Sequence, residues 1–470
     1  MSAIVNQLLD QDKIQKELSR IDACFPEYLI LAQKFIRQPS ISLTGEGIAE
    51  MVSLLTGELR NIGAEIINST PWMDPPVIHA RLDYGAPITV LLYGMYDVMP
   101  AEEPEWILPP FAGEVRTRPG LGDCLLGRGA DNSKGPLAGI VYTIRSMLIS
   151  SDNLPVNLEI VIEGQEEKGS RNLREFLSQN ASLLRHCDMS LFPEFCEYGD
   201  NPRVYLGFKG IVHGQMNISG GDWGGPVAPT HSSNLPWIDS PLWRLVAALN
   251  QLASPRGDYF IQGSKDLFSS EDHQLITELA RNLDIEKELR ARNVLHPHVQ
   301  KDPVDMLKRL LFTTSLNISK LASGLNQAAS SIPAQASARF DLRLPPGLSP
   351  EEAITSLRDH LERAKMPGLE VMVDDAYPGS KFSLKDVGVQ ALLESYRILG
   401  YQPQIWPLCP GSAPAYAFEN IGTPLILGGL GTGGNAHSAN EFATLDGMKR
   451  FAQSLCLWLH GCASGEIWQP

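Results

Sequence analysis

The chain predicts an α/β protein: a mostly parallel sheet domain interrupted by an inserted α+β domain. Three observations predict it. Short apolar runs alternate with amphipathic helical stretches through the first 207 residues, and a polar segment follows most of those runs. An interval with antiparallel character comes next, and the first style returns after Pro378. The expected boundaries are 1–207 for the first part of the sheet domain, 208–376 for the insertion and 377–470 for the second part.

Residues 1–35 read as amphipathic helix, and Gly47–Gly63 as a second, with Ile48, Met51, Val52, Leu55 and Leu59 on one face. Strands are expected at Ala64–Asn68, Pro76–Leu82 and Pro87–Tyr93, the last breaking at Gly94 into Met95-Tyr-Asp97. Gly127–Pro136 is a glycine-rich turn whose proline suits the first turn of a helix running to about Ile149. Val156–Ile162 is a strand ending in Glu163-Gly-Gln-Glu-Glu-Lys-Gly-Ser170, followed by a helix to about Leu184 and a short strand at Asp188–Glu194. In the insertion, Gly210–Ile218 reads as strand, Ser240–Leu252 as amphipathic helix, roughly 253–310 as a helical excursion and Ala336–Leu344 as an alternating strand. Ser349-Pro-Glu-Glu352 supplies a cap, an N1 proline and an N3 glutamate for a helix to about Lys365, and Leu369–Asp374 closes the unit. Trp223, Trp237 and Trp243 are expected to pack its core or line a substrate mouth. A helix at Leu384–Gly400, a strand at Thr423–Leu427 and a helix from about Thr444 to His460 complete the sheet domain.

At 470 residues the chain is too long for one core, and its 43% hydrophobic and 20% charged composition is that of a soluble globular protein. A formal net charge of -15 excludes polyanionic partners, both nucleic acid and anionic membrane. No apolar run approaches a membrane span, and Met1–Asp22 carries charges throughout, unlike a signal peptide. Seven cysteines, odd in number and without a Cys-x-x-Cys pair, predict reduced thiols and a cytoplasmic location.

Polar clusters follow the strands of the sheet domain: Asp97, Asp131/Asn132, Glu166/Glu167, Glu194, and Gly433-Gly-Asn-Ala-His-Ser-Ala-Asn-Glu441. Singly each is bland. An adjacent glutamate pair is ordinarily a solvated charge pair, and a histidine near a glycine loop is ordinarily a cap. Strand ends of one sheet converge, however, and carboxylates gathered with an imidazole are what a divalent-metal hydrolase needs.

The motifs Tyr-Gly-x-x-Asp-Val (93–98), Gly-Arg-Gly-Ala (127–130), Lys-Gly-Pro (134–136), Glu-Gly-x-Glu-Glu-x-Gly-Ser (163–170), Arg343-Leu-x-Pro and His-Ser-x-Asn-Glu (437–441) occur in this order. In this the chain resembles the zinc-dependent metallopeptidase family that includes carnosinase, aminoacylase, carboxypeptidase G and succinyl-diaminopimelate desuccinylase. The resemblance implies a catalytic sheet domain split by a lid domain through which a homodimer forms. It implies Glu166 as general base, Glu167 and His437 as ligands of one metal ion, Glu194 as ligand of the other, and Asp97 as a supporting catalytic carboxylate. It further implies Arg343 with the Gly411-Ser412 loop as substrate-carboxylate binders and His231 as a lid histidine that stabilises the oxyanion, with His213 as its competitor.

Two positions depart from that pattern. Met95 stands where the resemblance implies a histidine ligand, and Asn132 where it implies the aspartate that bridges two ions. Thioether sulfur is a poor zinc ligand, and a neutral amide oxygen binds more weakly than a carboxylate. Three arrangements follow. One ion, zinc or else manganese or cobalt, is held by Glu167 and His437 with Asn132, Asp131 or Asp97, or two ions are held if other side chains replace the lost ligands. Alternatively, no metal is used, and Glu166, Asp97 and His437 carry acid–base chemistry that forms or rearranges an amide or C–N bond. In the third, the chain binds a peptide-like ligand without turnover or pairs with an active subunit. The first gives the expected function: hydrolysis of a small amide, a dipeptide or an N-acyl amino acid.

Overall fold

The computed structural model describes the chain apart from Met1 and residues 71–72, 199–200, 255–256, 258, 260–267, 291–293, 297–301, 325–329 and 465–470. Two compact units emerge. The first comprises Met1–Leu206, Phe382–Ile405 and Ala417–Pro470, and the second Gly207–Lys381 with Trp406–Tyr416. The segment Trp406–Tyr416, read from sequence as part of the C-terminal return, therefore groups with the second unit.

In chain order the first unit contains α1 (Ser2–Ala23), α2 (Phe25–Arg37), α3 (Ile48–Asn61), β1 (Glu65–Ser69), β2 (Ile78–Leu82), β3 (Thr89–Met95), β4 (Glu114–Arg118), β5 (Gly122–Leu126), α4 (Lys134–Ser151), β6 (Asn157–Glu163) and β7 (Met189–Pro193). Its main sheet has the order β1-β2-β6-β3-β7 followed by the strand Leu425–Gly428. The β6–β3, β3–β7 and β7–Leu425–Gly428 pairs are parallel, whereas β1 and β2 add an antiparallel edge. Every residue of β3 is buried, as expected of a parallel strand covered on both faces. α4 lies over the sheet with Leu137, Ile140, Val141, Ile144 and Met147 buried. At Gly139 a Cβ would lie 2.3 Å from the Tyr28 hydroxyl and 2.6 Å from the Phe451 ring, so glycine permits the close approach of α2 and the C-terminal helix Leu445–Ser464.

Other features also differ from the sequence reading, among them the helix expected to run to about Leu184, which is two, Arg171–Gln179 and Ala181–Leu184. The expected single helix over residues 1–35 is α1 and α2, broken at Cys24. Pro26 lacks the N–H that a continuing helix would use and instead occupies the first turn of α2. The hairpin β4–β5 was not anticipated. Its strands are five residues each, and β4 carries Glu114, Arg116 and Arg118, a pattern too short and charged to stand out. β5 pairs with Phe442–Thr444, Leu126 opposite Phe442, and thereby fixes the 127–134 turn beside the 433–441 loop.

The second unit is an antiparallel sheet in the order Ser315–Ser323, Gln335–Leu344, Gly207–Ser219, Leu369–Tyr377. Helices Pro241–Leu252 and Pro350–Arg363 cover it, packing Leu245, Ala248, Leu357 and Leu361 against Val212, Met216, Phe340 and Leu342. The capping box formed by Ser349 and Glu352 is present. Helices Ser270–Asn282, Ile285–Arg290 and Pro303–Phe312 form the excursion. Of the three tryptophans, Trp223 packs against the core, but Trp237 and Trp243 are 81% and 65% exposed.

Candidate active site

The parallel pairing sets Met95 opposite Glu163 and Pro193 opposite Gly428, so the carboxyl ends of β3, β6, β7 and Leu425–Gly428 share one edge. The polar segments that follow them are delivered to that edge. Asp97, wholly buried, accepts the backbone N–H of Glu166 through Oδ1 and of Glu167 through Oδ2, both at 3.1 Å. Both carboxylate oxygens are thus committed to the Glu166–Glu167 turn. Asp97 positions that turn and does not occupy the place left by the expected histidine.

Glu167, His437 and Asn132 meet. Glu167 Oε1 lies 3.1 Å from His437 Nε2, and Asn132 Nδ2 lies 3.1 Å from the former and 2.9 Å from the latter. The Asn132 amide donates toward both as placed; turned over, it offers Oδ1 instead. Met95, the last residue of β3, is buried and brings no donor suited to a hard cation.

Two residues that hold this arrangement were not singled out from sequence. Glu441, fully buried, accepts the backbone N–H of Asp131 (3.1 Å) and Asn132 (2.9 Å) through Oε1. Its Oε2 accepts from Arg128 at 2.9 Å. Arg128, 1% exposed, also donates to Glu103 (2.8 Å), to Pro100 O (3.0 Å) and to Ser438 O (3.1 Å). One guanidinium therefore laces together three loops around the site. Both residues lay inside matched motifs, and the missing signal was that an arginine between two glycines needs a buried carboxylate if the turn closes over it. Lys134, also buried, donates to Gln38 O, and burial lowers its pKa to about 7.

The edge is dense in acids. Burial raises Asp97 to about 6, Asp131 to about 8 and Glu163 to about 8, each against neighbouring negative charge. Glu166 is held well above the ordinary carboxylate range by burial and by Glu167, Asp97 and Glu163. Glu194 is raised by burial, with Asp131, Glu166 and Glu441 adding to the effect. Its Oε1 is buried without a hydrogen-bond partner among the described residues. So many buried carboxyl groups, with Oε2 of Glu163 likewise lacking a hydrogen-bond partner among the described residues, fit a cation. Glu167, His437 and Asn132 supply a donor set for one ion. A second ion beside Glu194 would lack both the imidazole and the bridging carboxylate.

The residues expected in the second unit are also placed. Arg343 donates to Ser412 Oγ at 2.9 Å and lies 3.3 Å from Asp341, with Gly411 adjacent on the strand Cys409–Ser412. His231 is exposed and caps a short 3₁₀ turn, its Nδ1 accepting the Ser233 N–H at 3.2 Å. In the neutral ring this leaves the proton on Nε2. His213 is exposed on the strand Gly207–Ser219, opposite Asp341 on one neighbouring strand and Asp375 on the other.

Residues 91–460 match the profile of Peptidase family M20/M25/M40. The Cys-Gly metallodipeptidase DUG1 of Candida albicans is 25% identical over 484 aligned residues, covering 95% of this chain and 97% of its own. The Beta-Ala-His dipeptidase of Mus musculus is 26% identical, over 67% of this chain and 65% of its own. The crystal structure of the M20 family metallo-carboxypeptidase Sso-CP2 from Sulfolobus solfataricus superposes with a TM-score of 0.82 at 26% identity, covering 93% of this chain and 99% of that one. With a strand-edge acid cluster, a Glu–His pair and a profile match over most of its length, the chain belongs to peptidase family M20/M25/M40, a family of metal-dependent hydrolytic enzymes.

Proposed function

We propose that this protein hydrolyses a small amide, a dipeptide or an N-acyl amino acid, at a site built for one metal ion. The observation that carries this reading is the meeting of Glu167, His437 and Asn132 within 3.1 Å at the edge where Glu166 also projects. Zinc suits a carboxylate–imidazole–amide set, with manganese or cobalt as substitutes. Such an ion supplies Lewis-acid activation of water and of the scissile carbonyl. Glu166 takes the proton of the attacking water and returns it to the leaving amine, while Asp97 holds the turn that aims it. The Nε2–H of His231 is a donor for the oxyanion, and Arg343 with Ser412 binds the substrate carboxylate. The names of relatives, Cys-Gly and Beta-Ala-His dipeptidases, support the substrate class.

The second unit is proposed as the lid and as the surface of a homodimer, supported by exposed Trp237 and Trp243. A cytoplasmic location is supported by seven free cysteines; among the described residues no helix is long and apolar enough to cross a membrane.

Glu166→Gln tests the mechanism. It is expected to lower kcat by at least about a thousandfold, within the range of a lost general base, while circular dichroism and thermal melting stay unchanged. Near-normal turnover refutes it. One observation favours a second reading: the Asn132 amide can donate to both Glu167 and His437 and so close the pair without a cation. In that reading the site forms or rearranges an amide or C–N bond, and turnover of an activated amide persists in excess chelator. The hydrolase reading requires that chelator abolish it and that one divalent ion restore it.

A further inference from the structure

We infer that Glu17, Cys456 and His460 form a second metal site, for a zinc-class transition-metal ion, sharing no residue with the set Glu167, His437 and Asn132. Among the described residues these are the one group of three or more His, Cys, Asp and Glu side chains whose donor atoms all lie within 4.8 Å of one another. Cys456 and His460 stand four residues apart on the C-terminal helix and so share a face, which presents thiol and imidazole together. Glu17 reaches them from α1, with Oε2 at 2.6 Å from His460 Nε2 and 3.5 Å from Cys456 Sγ.

The carboxylate is oriented before any ion arrives. Ser151 donates to Glu17 Oε1 at 2.6 Å, which turns Oε2 toward the thiol and the imidazole. Glu17 and Cys456 are fully buried and His460 is 10% exposed, so solvent reaches the group only from the imidazole side. Ligand atoms of a tetrahedral zinc site are separated by roughly 3–4 Å, so the group needs only to open the Glu17–His460 contact slightly. An ion and its fourth ligand would come from the side of His460. His460 lines a cavity of about 580 Å³ between α1, the helix Val387–Ile398 and the C-terminal helix, walled also by Leu18, Ala391 and Leu457. Binding releases the Cys456 thiol proton to solvent, and the thiolate, imidazole and carboxylate become ligands. The ion then ties α1 to the C-terminal helix.

Thiolate ligation gives this site a signature that the catalytic edge cannot produce, since the donors there are oxygen and nitrogen only. The full-length protein is stripped with chelator and titrated with Co²⁺. The expected result is a thiolate-to-cobalt charge-transfer band in the near ultraviolet that saturates at one equivalent per chain, together with a raised melting temperature. Cys456→Ser should lose the band and about one equivalent of cobalt while the catalytic site still loads. If that variant does not fold, His460→Gln and Glu17→Gln, which keep the thiol, should each weaken the cobalt affinity read from the band at least tenfold. No band in the wild-type protein, a band that survives Cys456→Ser, or affinity unchanged in both other variants overturns the assignment.

Discussion

Asn132 sets the character of the catalytic edge. A carboxylate at this position would carry charge to the ion, whereas the amide offers one neutral oxygen or else two protons to Glu167 and His437. Asn132→Asp is therefore expected to raise divalent-metal affinity about ten- to hundredfold, a scale that even outer partners of a ligand can command. The metal-free variant should be less stable than the metal-free parent, because it adds a negative charge to an edge where burial already raises Asp131, Glu166 and Glu194. Competition against a chromophoric chelator measures the first effect and thermal melting without metal the second; unchanged affinity would remove Asn132 from the ligand set. As neighbours at one strand edge, Glu166, Glu167, Glu194 and His437 were legible in the motifs before any coordinates, while their roles belong to the proposal above. Arg128 and Glu441 were not, because a one-dimensional pattern does not record that the side chain of residue 128 is sealed beneath residues 438–441.

At the scale of elements, long apolar strands and capped helices could be read, and short paired segments could not. β3, β6 and the helix begun by Ser349 carry their periodicity and caps in the sequence. β4, β5 and Phe442–Thr444 acquire strand geometry from each other, through pairing across more than 300 residues. Glu197, three residues beyond the end of the β7 turn at Glu194, shows how such elements are fastened. It accepts two hydrogen bonds from Arg450 of the C-terminal helix, at 2.9 and 2.6 Å, and one from Thr432 at 2.7 Å. Burial would raise its pKa, but the Arg450 and Thr432 hydrogen bonds outweigh burial and lower it. A depressed folded-state pKa stabilises the protein fully above the ordinary carboxylate range, and the contribution is lost as pH falls through the folded value. Glu197→Gln should thus cost about 1.5–3 kcal/mol near neutral pH, the span for hydrogen bonds to a charged group. The cost should vanish in acid below the folded pKa. Melting curves from pH 7 down to pH 3 check this, and a cost independent of pH would contradict it.

On the scale of the whole molecule, the two-unit organisation was visible as a change in style near Gly207, although the return of Trp406–Tyr416 to the second unit was not. That segment is short, and the partner of its strand Cys409–Ser412 lies about 200 residues earlier, at Phe208–Lys209. If the second unit carries the dimer surface, replacing Trp237 and Trp243 with serine should convert a dimer into a monomer. Sedimentation equilibrium at micromolar concentration reads this, and a parent protein that is already monomeric would end that part of the reading.

The C-terminal helix has a consequence for how the protein is made. It covers α4, anchors Glu197 through Arg450 and donates from Trp458 to Gly388 O at 2.9 Å, while the strand Leu425–Gly428 completes the main sheet. The first unit therefore draws on segments from both sides of Gly207–Lys381, which emerges between them as one continuous stretch. Domains ordinarily fold in the order in which the ribosome delivers them. Here Gly207–Lys381 can fold while Met1–Leu206 still lacks its last strand and covering helix, leaving β7 an uncovered edge until Leu425–Gly428 emerges.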